Sequence, residues 1–228
     1  MKYKIIAVIP ARSDSNRLPN KHLRKINGFP MIYYLINRLY NVNFIDKVIV
    51  ATSERSCDNK LAEISKYYNA DVFRGSLDDV IGRFNGIVNE YNPDIIIKAN
   101  GDNPLLSFEV INLGISQIVN RKLDMVTGKN SYTGLPVGLG AEILTKNAIK
   151  WLYNNTPTEM REHTTKYAFN KNSILKIEPI QIPKKWIKKN KSITIDTLDE
   201  FKKLNELIEN LPKCEPKLWS INKILKLL

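Results

Sequence analysis

Four short apolar runs recur between residues 4 and 127, each closed by polar turn residues: Lys4 to Ile9, Lys47 to Ala51, Asp94 to Ala99 and Asp124 to Thr127. Each is rich in Ile or Val and stays apolar at successive positions rather than alternate ones, which predicts strands covered on both faces. Helical spacing fills the intervals. Pro30 to Tyr40 opens on proline and places Ile32, Leu35, Ile36 and Leu39 on one side, and Asn59 to Tyr68, Asp79 to Tyr91 and Phe108 to Asn120 follow the same scheme. Strand and helix in alternation predict an α/β fold with a doubly wound, mostly parallel sheet flanked by helices.

The texture changes after Thr127. Residues Gly128 to Pro136 are rich in Gly, Ser, Asn and Thr, and they lead into a predicted strand over Gly138 to Leu144 and a helix from Lys146 to Tyr153. A second helix is predicted from Thr158 to Asn170, strands at Ile174 to Ile182 and Ser192 to Ile195, and a helix from Leu198 to Asn210 capped by Thr197 or Asp196. A short apolar stretch, Ile221 to Leu228, follows. With 228 residues and 43% hydrophobic content, the chain can bury one sizeable core. Residues 1–228 therefore read as a single domain, with an excursion at 128–170.

Composition excludes several classes. No apolar run approaches the roughly 18 residues of a membrane span, and the apolar stretch before Pro10 is too short for a signal-peptide core. A soluble, cytoplasmic protein with no membrane partner is expected. Cys57 and Cys214 stand far apart with no CxxC motif, so neither a zinc site nor a disulfide framework is indicated. The formal net charge of +12 invites a nucleic-acid reading. The cations are scattered, however, many in Lys- and Asn-rich stretches such as Lys188-Lys189-Asn190-Lys191, and no aromatic-interleaved basic motif occurs. No nucleic-acid partner is expected; the basic balance suits small anionic substrates.

The chemistry concentrates directly after the first predicted strand. Ile9-Pro10-Ala11-Arg12-Ser13-Asp14-Ser15-Asn16-Arg17-Leu18-Pro19-Asn20-Lys21 sets three cations among small, turn-forming residues, in the loop position where α/β folds commonly hold phosphates. A triphosphate needs such cations together with closely approaching backbone N–H groups. Asp102 ends another strand in Asn100-Gly101-Asp102-Asn103-Pro104, where its carboxylate serves either as a turn residue or as a ligand aimed at the crevice. Asp196-Thr197 reads as a helix cap, which does not exclude ligation by Asp196. Arg74 and Asp79 allow a simple salt bridge, and a lone His163 in a helix is more often structural than catalytic.

Six motifs in register resemble the cytidylyltransferases of the spore-coat polysaccharide type, relatives of the CMP-ketodeoxyoctonate and CMP-sialate synthetases. They are the 9–21 run, Phe73-Arg74-Gly75-Ser76 with Asp79-Val80 and Gly82-Arg83, Gly101-Asp102 with Pro104-Leu105, Gly138-Leu139 with Glu142, Arg161-Glu162-His163-Thr164, and Ile195-Asp196-Thr197 with Asp199 and Phe201. The similarity runs from about residue 4 to about residue 209. It implies a Rossmann-like nucleotide-diphospho-sugar transferase fold. It also implies transfer of CMP from CTP to an acceptor with release of pyrophosphate, assisted by Mg²⁺, in a homodimer whose interface falls in the 128–170 excursion.

Residue roles follow from the same resemblance. Ala11, Arg12, Ser15, Arg17, Lys21, Arg74, Asp79 and Arg83 would hold the nucleotide; Arg12, Lys21 and Asp102 would be catalytic; Asp102 and Asp196 would hold Mg²⁺; and Glu142, Arg161 and His163 would face the acceptor. The chain departs from the pattern at two places. Relatives usually have Gly where Asp14 stands, and a carboxylate there needs a cation partner or must point away from the triphosphate. They often have Asp where Val137 and Gly140 stand, and its loss favours a more anionic or less hydroxylated acceptor: a sugar acid, or a phosphonate or phosphate compound. A nucleotidyltransferase of another base specificity and a non-catalytic nucleotide-binding homologue are the competing readings.

Overall fold

The computed structural model describes residues 3–15 and 17–228; Asn16 of the predicted phosphate loop lies outside the described residues. The chain begins with β1 (Ile5–Pro10), a two-residue hairpin β2 (Lys25–Ile26) and β3 (Phe29–Pro30), then α1 (Met31–Leu39), β4 (Ile45–Ser53), α2 (Asn59–Tyr67), β5 (Asp71–Gly75), α3 (Val80–Tyr91) and β6 (Ile95–Lys98). It continues through α4 (Phe108–Asn120), β7 (Met125–Thr127), the single turn α5 (Asn130–Thr133), β8 (Glu142–Thr145), α6 (Lys146–Asn155), β9 (Ile177–Pro179), α7 (Leu198–Glu209) and α8 (Ile221–Lys226).

Seven strands form one sheet in the order β5-β4-β1-β6-β8-β7-β9. All neighbouring pairs are parallel except the two made by β8, which runs antiparallel to β6 and β7. The period-2 geometry of β1 divides its side chains between two cores. Ile5, Ala7 and Ile9 join the side covered by α1, α2, α4, α7 and α8, and Ile6 and Val8 join the side covered by α3 and α6. Both faces are dry, which is why these strands read as unbroken apolar runs.

The segment 128–170 contributes β8 to the middle of the sheet and α6 to one face, and its remainder lies over the ends of the strands. Thr158 to Asn170 is not the helix its residue types predict: Thr158–Met160 and Lys166–Phe169 are separate 3₁₀ turns. The reason is tertiary. Thr164 and Thr165 are buried, the Thr165 hydroxyl donates to Glu142, and Arg161 is tied to Asp79, so the backbone is drawn inward from both sides. Two other elements differ from expectation. Only Ile177–Pro179 pairs within the predicted strand 174–182, and Ser192 to Ile195 makes a lone bridge to Val137 instead of a ladder. β5 escapes an apolar-run search because it is an edge strand, half-buried throughout.

A buried guanidinium fastens the C-terminal segment. Arg38 of α1 donates to the carbonyls of Leu106 (2.7 Å), Pro216 (2.8 Å) and Trp219 (2.9 Å). Burial pushes its pKa down to about 10, so it remains charged at neutral pH.

Candidate active site

The strand order reverses at β1. From β1 the chain builds outward through β4 to β5, then returns to place β6 on the opposite side of β1. Loops leaving neighbouring strands that go opposite ways diverge, and the gap beyond their carboxyl ends is where open α/β sheets bind ligands. A cleft of about 620 Å³ opens at this point, floored by Pro10, Ala11 and Gly101.

The loop after β1 supplies one wall. Ser13 N donates to Asp58 Oδ1 (2.7 Å), and Asn20 N donates back to the Ser13 carbonyl (2.8 Å) with Asn20 in the left-handed region at φ 55°. Asp58 is fully buried. Burial alone would raise its pKa, but the Ser53 hydroxyl and the Ser13 amide hold it below the usual carboxylate value, so it is a fixed negative anchor beneath the loop. Arg12, Ser15, Arg17 and Lys21 then line the cleft.

Every cation of this loop meets a carboxylate. Arg12 pairs with Glu162 (3.1 Å) and more loosely with Asp14 (3.5 Å), and Asp14 also pairs with Arg55. The unusual acid of the loop is thus neutralised by two arginines. Arg17 and Lys21 converge on one oxygen of Asp196, each at 3.0 Å, and Lys21 also donates to the Ile195 carbonyl (3.0 Å).

The loop after β6 supplies the opposite side. A Cβ on Gly101 would lie 2.9 Å from the Pro10 carbonyl and 2.8 Å from His22, so the two loops touch only because this position is glycine. Asp102 follows. Its carbonyl accepts from Ile195 N (3.0 Å), bringing the residue before Asp196 against it. Its Oδ1 is buried without a hydrogen-bond partner. Burial raises the Asp102 pKa, opposed by Lys21 and reinforced by Asp196, as for an acid awaiting a counter-charge. Thr197 caps α7 in a capping box with Glu200, which leaves the Asp196 side chain to the cleft.

Other predicted site residues divide. Arg83 lines the cleft, buried and donating to the Ala51 carbonyl (2.9 Å), with burial lowering its pKa and Nε unpartnered. His163 lines the cleft from a turn. Three expectations need correction. Arg74 turns away to donate to the Ser53 carbonyl (2.9 Å), the Asn59 side chain (2.7 Å) and the Arg55 carbonyl (2.7 Å), and so it braces the β4–α2 connection. Asp79 caps α3 by accepting from Gly82 N (2.8 Å). Arg161 pairs with Asp79 (2.6 Å) and donates to the Tyr153 carbonyl (2.7 Å), so it fastens the 156–170 segment to α3 and α6 instead of facing the cleft. Glu142 is buried in the wall, where Lys98 (2.8 Å) and Thr165 (2.6 Å) donate to Oε2. Burial would raise its pKa, but Lys98 and Lys129 bring it down to about 2.

Sequence reasoning missed His22, Lys98 and Lys129, which all line the cleft. His22 is buried with Nδ1 unpartnered, and burial beside Lys21 lowers its pKa to about 3. Lys98 follows three isoleucines at the end of β6, a signal that a strand-end search for polar residues could have found.

A sheet that reverses at β1, with cations on one side of the reversal and two carboxylates on the other, defines a nucleotide-binding α/β enzyme of the nucleotidyltransferase type. The described residues contain no helix long and apolar enough to cross a membrane. The cytidylyltransferase family model matches residues 6–224, and the chain belongs to that family of CTP-dependent nucleotidyltransferases. An uncharacterised protein of Methanocaldococcus jannaschii is 34% identical over 90% of this chain and 83% of its own length. The spore coat polysaccharide biosynthesis protein SpsF of Bacillus subtilis is 26% identical over 90% of this chain and 86% of its own. Bacterial 3-deoxy-manno-octulosonate cytidylyltransferases align over shorter stretches, from 48% to 67% of the chain. Among solved structures, a cytidylyltransferase from Leptospira borgpetersenii superposes with a TM-score of 0.88 at 25% identity, covering 99% of this chain and 93% of that one.

Proposed function

We propose that this enzyme transfers CMP from CTP to a small anionic acceptor, a sugar acid or related compound, with release of pyrophosphate, in the biosynthesis of a surface polysaccharide or glycoconjugate. The observation that carries the reading is the meeting of Arg12, Arg17 and Lys21 with Asp102 and Asp196 in one cleft at the strand reversal. The name of the Bacillus relative supports the biosynthetic setting.

Mg²⁺ suits the donor set. Among the described residues no cluster of three or more His, Cys, Asp or Glu is placed to hold a metal. Magnesium instead commonly takes one or two carboxylates and completes its shell with substrate phosphates and waters. Asp102, with its buried unpartnered oxygen, and Asp196 would hold it. When bound, it neutralises charge on the phosphates and aligns the α-phosphoryl group for in-line attack.

The protein's own work is positioning and charge compensation. Arg12, Arg17 and Lys21 exchange carboxylate partners for phosphate oxygens. The Ser15 hydroxyl, which accepts from Leu18 N, keeps its O–H to add a hydrogen bond, whereas the Ala11 N–H is spent on the Ala51 carbonyl and fixes the start of the loop. Arg83 holds the floor through the Ala51 carbonyl and keeps Nε for the nucleotide. His163 stands on the acceptor side. The acceptor oxygen attacks the α-phosphorus, the bond to the bridging oxygen breaks, and pyrophosphate leaves with the negative charge that the loop cations compensate; where the attacking group is a hydroxyl, its proton passes to solvent.

A cytoplasmic homodimer belongs to the same reading, with the partner on the 128–170 segment, where Tyr132 (52%) and Val137 (41%) are exposed; sedimentation tests it. The deciding experiment incubates the protein with Mg²⁺, each of CTP, UTP, GTP and ATP, and a mixture of sugar acids and phosphonates. CTP-specific pyrophosphate release with a new CMP conjugate by mass is the expected result. Equal release from all four nucleotides, or none with any acceptor, rejects the reading.

A further inference from the structure

A side pocket of about 110 Å³ branches from the cleft and shares Lys98, Asn100 and Lys129 with it. We propose that this pocket receives an oxyanion of the acceptor, flanked by a hydroxyl, and that Lys129 is the residue that selects for the charge. The proposal rests on the acceptor-side reading above and deepens it.

The charge balance of the pocket is the first argument. Two lysines and one carboxylate, Glu142, meet there. Lys98 donates to Glu142 Oε2 (2.8 Å), and Lys129 Nζ lies 3.0 Å from Oε1. Glu142 is 4% exposed and held ionised, so the cluster keeps one positive charge in excess in a partly desolvated place. Glu142 is buried and Lys98 nearly so, and both are weakly screened, while the half-exposed Lys129 presents the unbalanced charge at the mouth of the pocket, where an anion is the natural complement.

That excess is built into the backbone. A Cβ on Gly140 would lie 2.0 Å from the Gly128 carbonyl oxygen, so this position can carry no side chain, a carboxylate included. The crossing of Gly128 and Gly140 shapes one side of the pocket and keeps a second acid out of it.

Hydrogen-bonding capacity narrows the ligand. Lys98 also donates to Asn100 Oδ1 (2.9 Å), which engages the carbonyl end of that amide and leaves its N–H groups for a ligand. Lys129 is placed, not free-swinging, because its ammonium stands 4.4 Å from the centre of the Phe169 ring. Its remaining N–H groups and those of Asn100 suit oxyanion oxygens. Glu142 Oε1 lacks an aligned hydrogen bond despite the nearby ammonium, so it can accept from a hydroxyl. Donors for an oxyanion beside one acceptor for a hydroxyl describe a hydroxy acid or a hydroxyphosphonate. Glu142 and Lys98 are positioning residues in this arrangement; Lys129 is the discriminating contact.

The test uses the full chain and three probes: glycerate, hydroxymethylphosphonate and neutral glycerol, titrated by backbone-amide NMR. Glycerate or hydroxymethylphosphonate should shift the amides of Gly128, Lys129 and Gly140, whereas glycerol should not, and the stronger of the two identifies carboxylate or phosphonate as the source of the charge. Lys129→Met should weaken acid binding at least tenfold while Lys129→Arg retains it, and the variant spectra report that the fold persists. Equal shifts with glycerol, acid binding unchanged in Lys129→Met, or shifts confined to the 11–21 loop would overturn the proposal. A separate CTP titration keeps the outcomes apart: wild-type protein that takes the acid in this pocket but fails to bind CTP rejects the nucleotide reading and leaves the oxyanion site standing.

Discussion

Lys21 and Asp196 hold each other across the cleft: the ammonium lies 3.0 Å from Oδ1 and donates equally closely to the preceding carbonyl of Ile195. A phosphate-loop cation and a metal-candidate carboxylate are thereby set in one arrangement before any nucleotide arrives. The side chain of Lys21 is only 11% exposed, so the pair is partly shielded from water. Lys21→Met removes the cation and also unmoors Asp196. We expect turnover to fall by about 10²-fold, the scale of losing one charge-compensating donor at a desolvated site. Pyrophosphate release under saturating CTP measures it, and wild-type turnover in the variant would remove Lys21 from the mechanism.

Arg12 and Arg74 separate a cleft-lining cation from a brace. Arg12 lines the cleft, and its partner Glu162 is more than half exposed and easily exchanged for phosphate. Arg12→Ala should therefore raise the CTP KM or lower kcat by tenfold or more. Arg74→Ala instead leaves two carbonyls and an amide unpartnered at the β4–α2 connection, lowering stability by about 1–2 kcal/mol with CTP binding unchanged. Urea midpoints and CTP titrations of the two variants decide the assignment.

His22 makes stability depend on pH in a defined window. Burial, with Lys21 beside it, lowers its pKa from 6.5 to about 3 in the folded protein. Between these values the unfolded chain binds a proton that the native state refuses, so stability is fully present above 6.5 and declines as pH falls toward 3. The linkage amounts to roughly 5 kcal/mol over the whole window. The difference in unfolding free energy between His22→Gln and wild type should shift in the variant's favour as pH is lowered. A pH-independent difference would show that His22 titrates alike in both states.

Gly140 should tolerate no side chain. Gly140→Ala drives a methyl into the Gly128 carbonyl, a backbone atom that cannot swing aside. A loss of about 3 kcal/mol is expected, near the upper end of ordinary overpacking. At this chain length that corresponds to a melting temperature lower by roughly 6–12 °C. A melting curve matching wild type would mean that the two strand connections separate without cost.

Much of the architecture was readable from residue order because local physics governs it. β1 is apolar at every position, and β6 up to Lys98 at its end, since helices cover both their faces, and α4 carries its own start in Ser107, whose hydroxyl accepts from Val110 N. The 9–21 loop was legible for a related reason: its cations and turn residues follow directly on a buried strand, so sequence neighbours alone place them at one edge of the sheet. The 158–170 stretch was not, because its helical spacing is overruled by the burial of Thr164 and Thr165 and the hydrogen bond from Thr165 to Glu142.

Residue types and their spacing sufficed to establish the alternating α/β scheme and the basic loop, since each rests on neighbours along the chain, but left Asp102 and Asp196 open between turn or cap and ligand. Tertiary contact alone decided which charged groups line the cleft. Arg74 and Arg161 look like Arg12 in a string of letters, yet one braces a strand connection and the other clasps Asp79. Lys98 and Lys129 look like any surface lysine until β6, Glu142 and the Gly128–Gly140 crossing bring them together around one pocket. A charge acquires its role from the partners and the dielectric that folding gives it, and those come from positions far away in sequence.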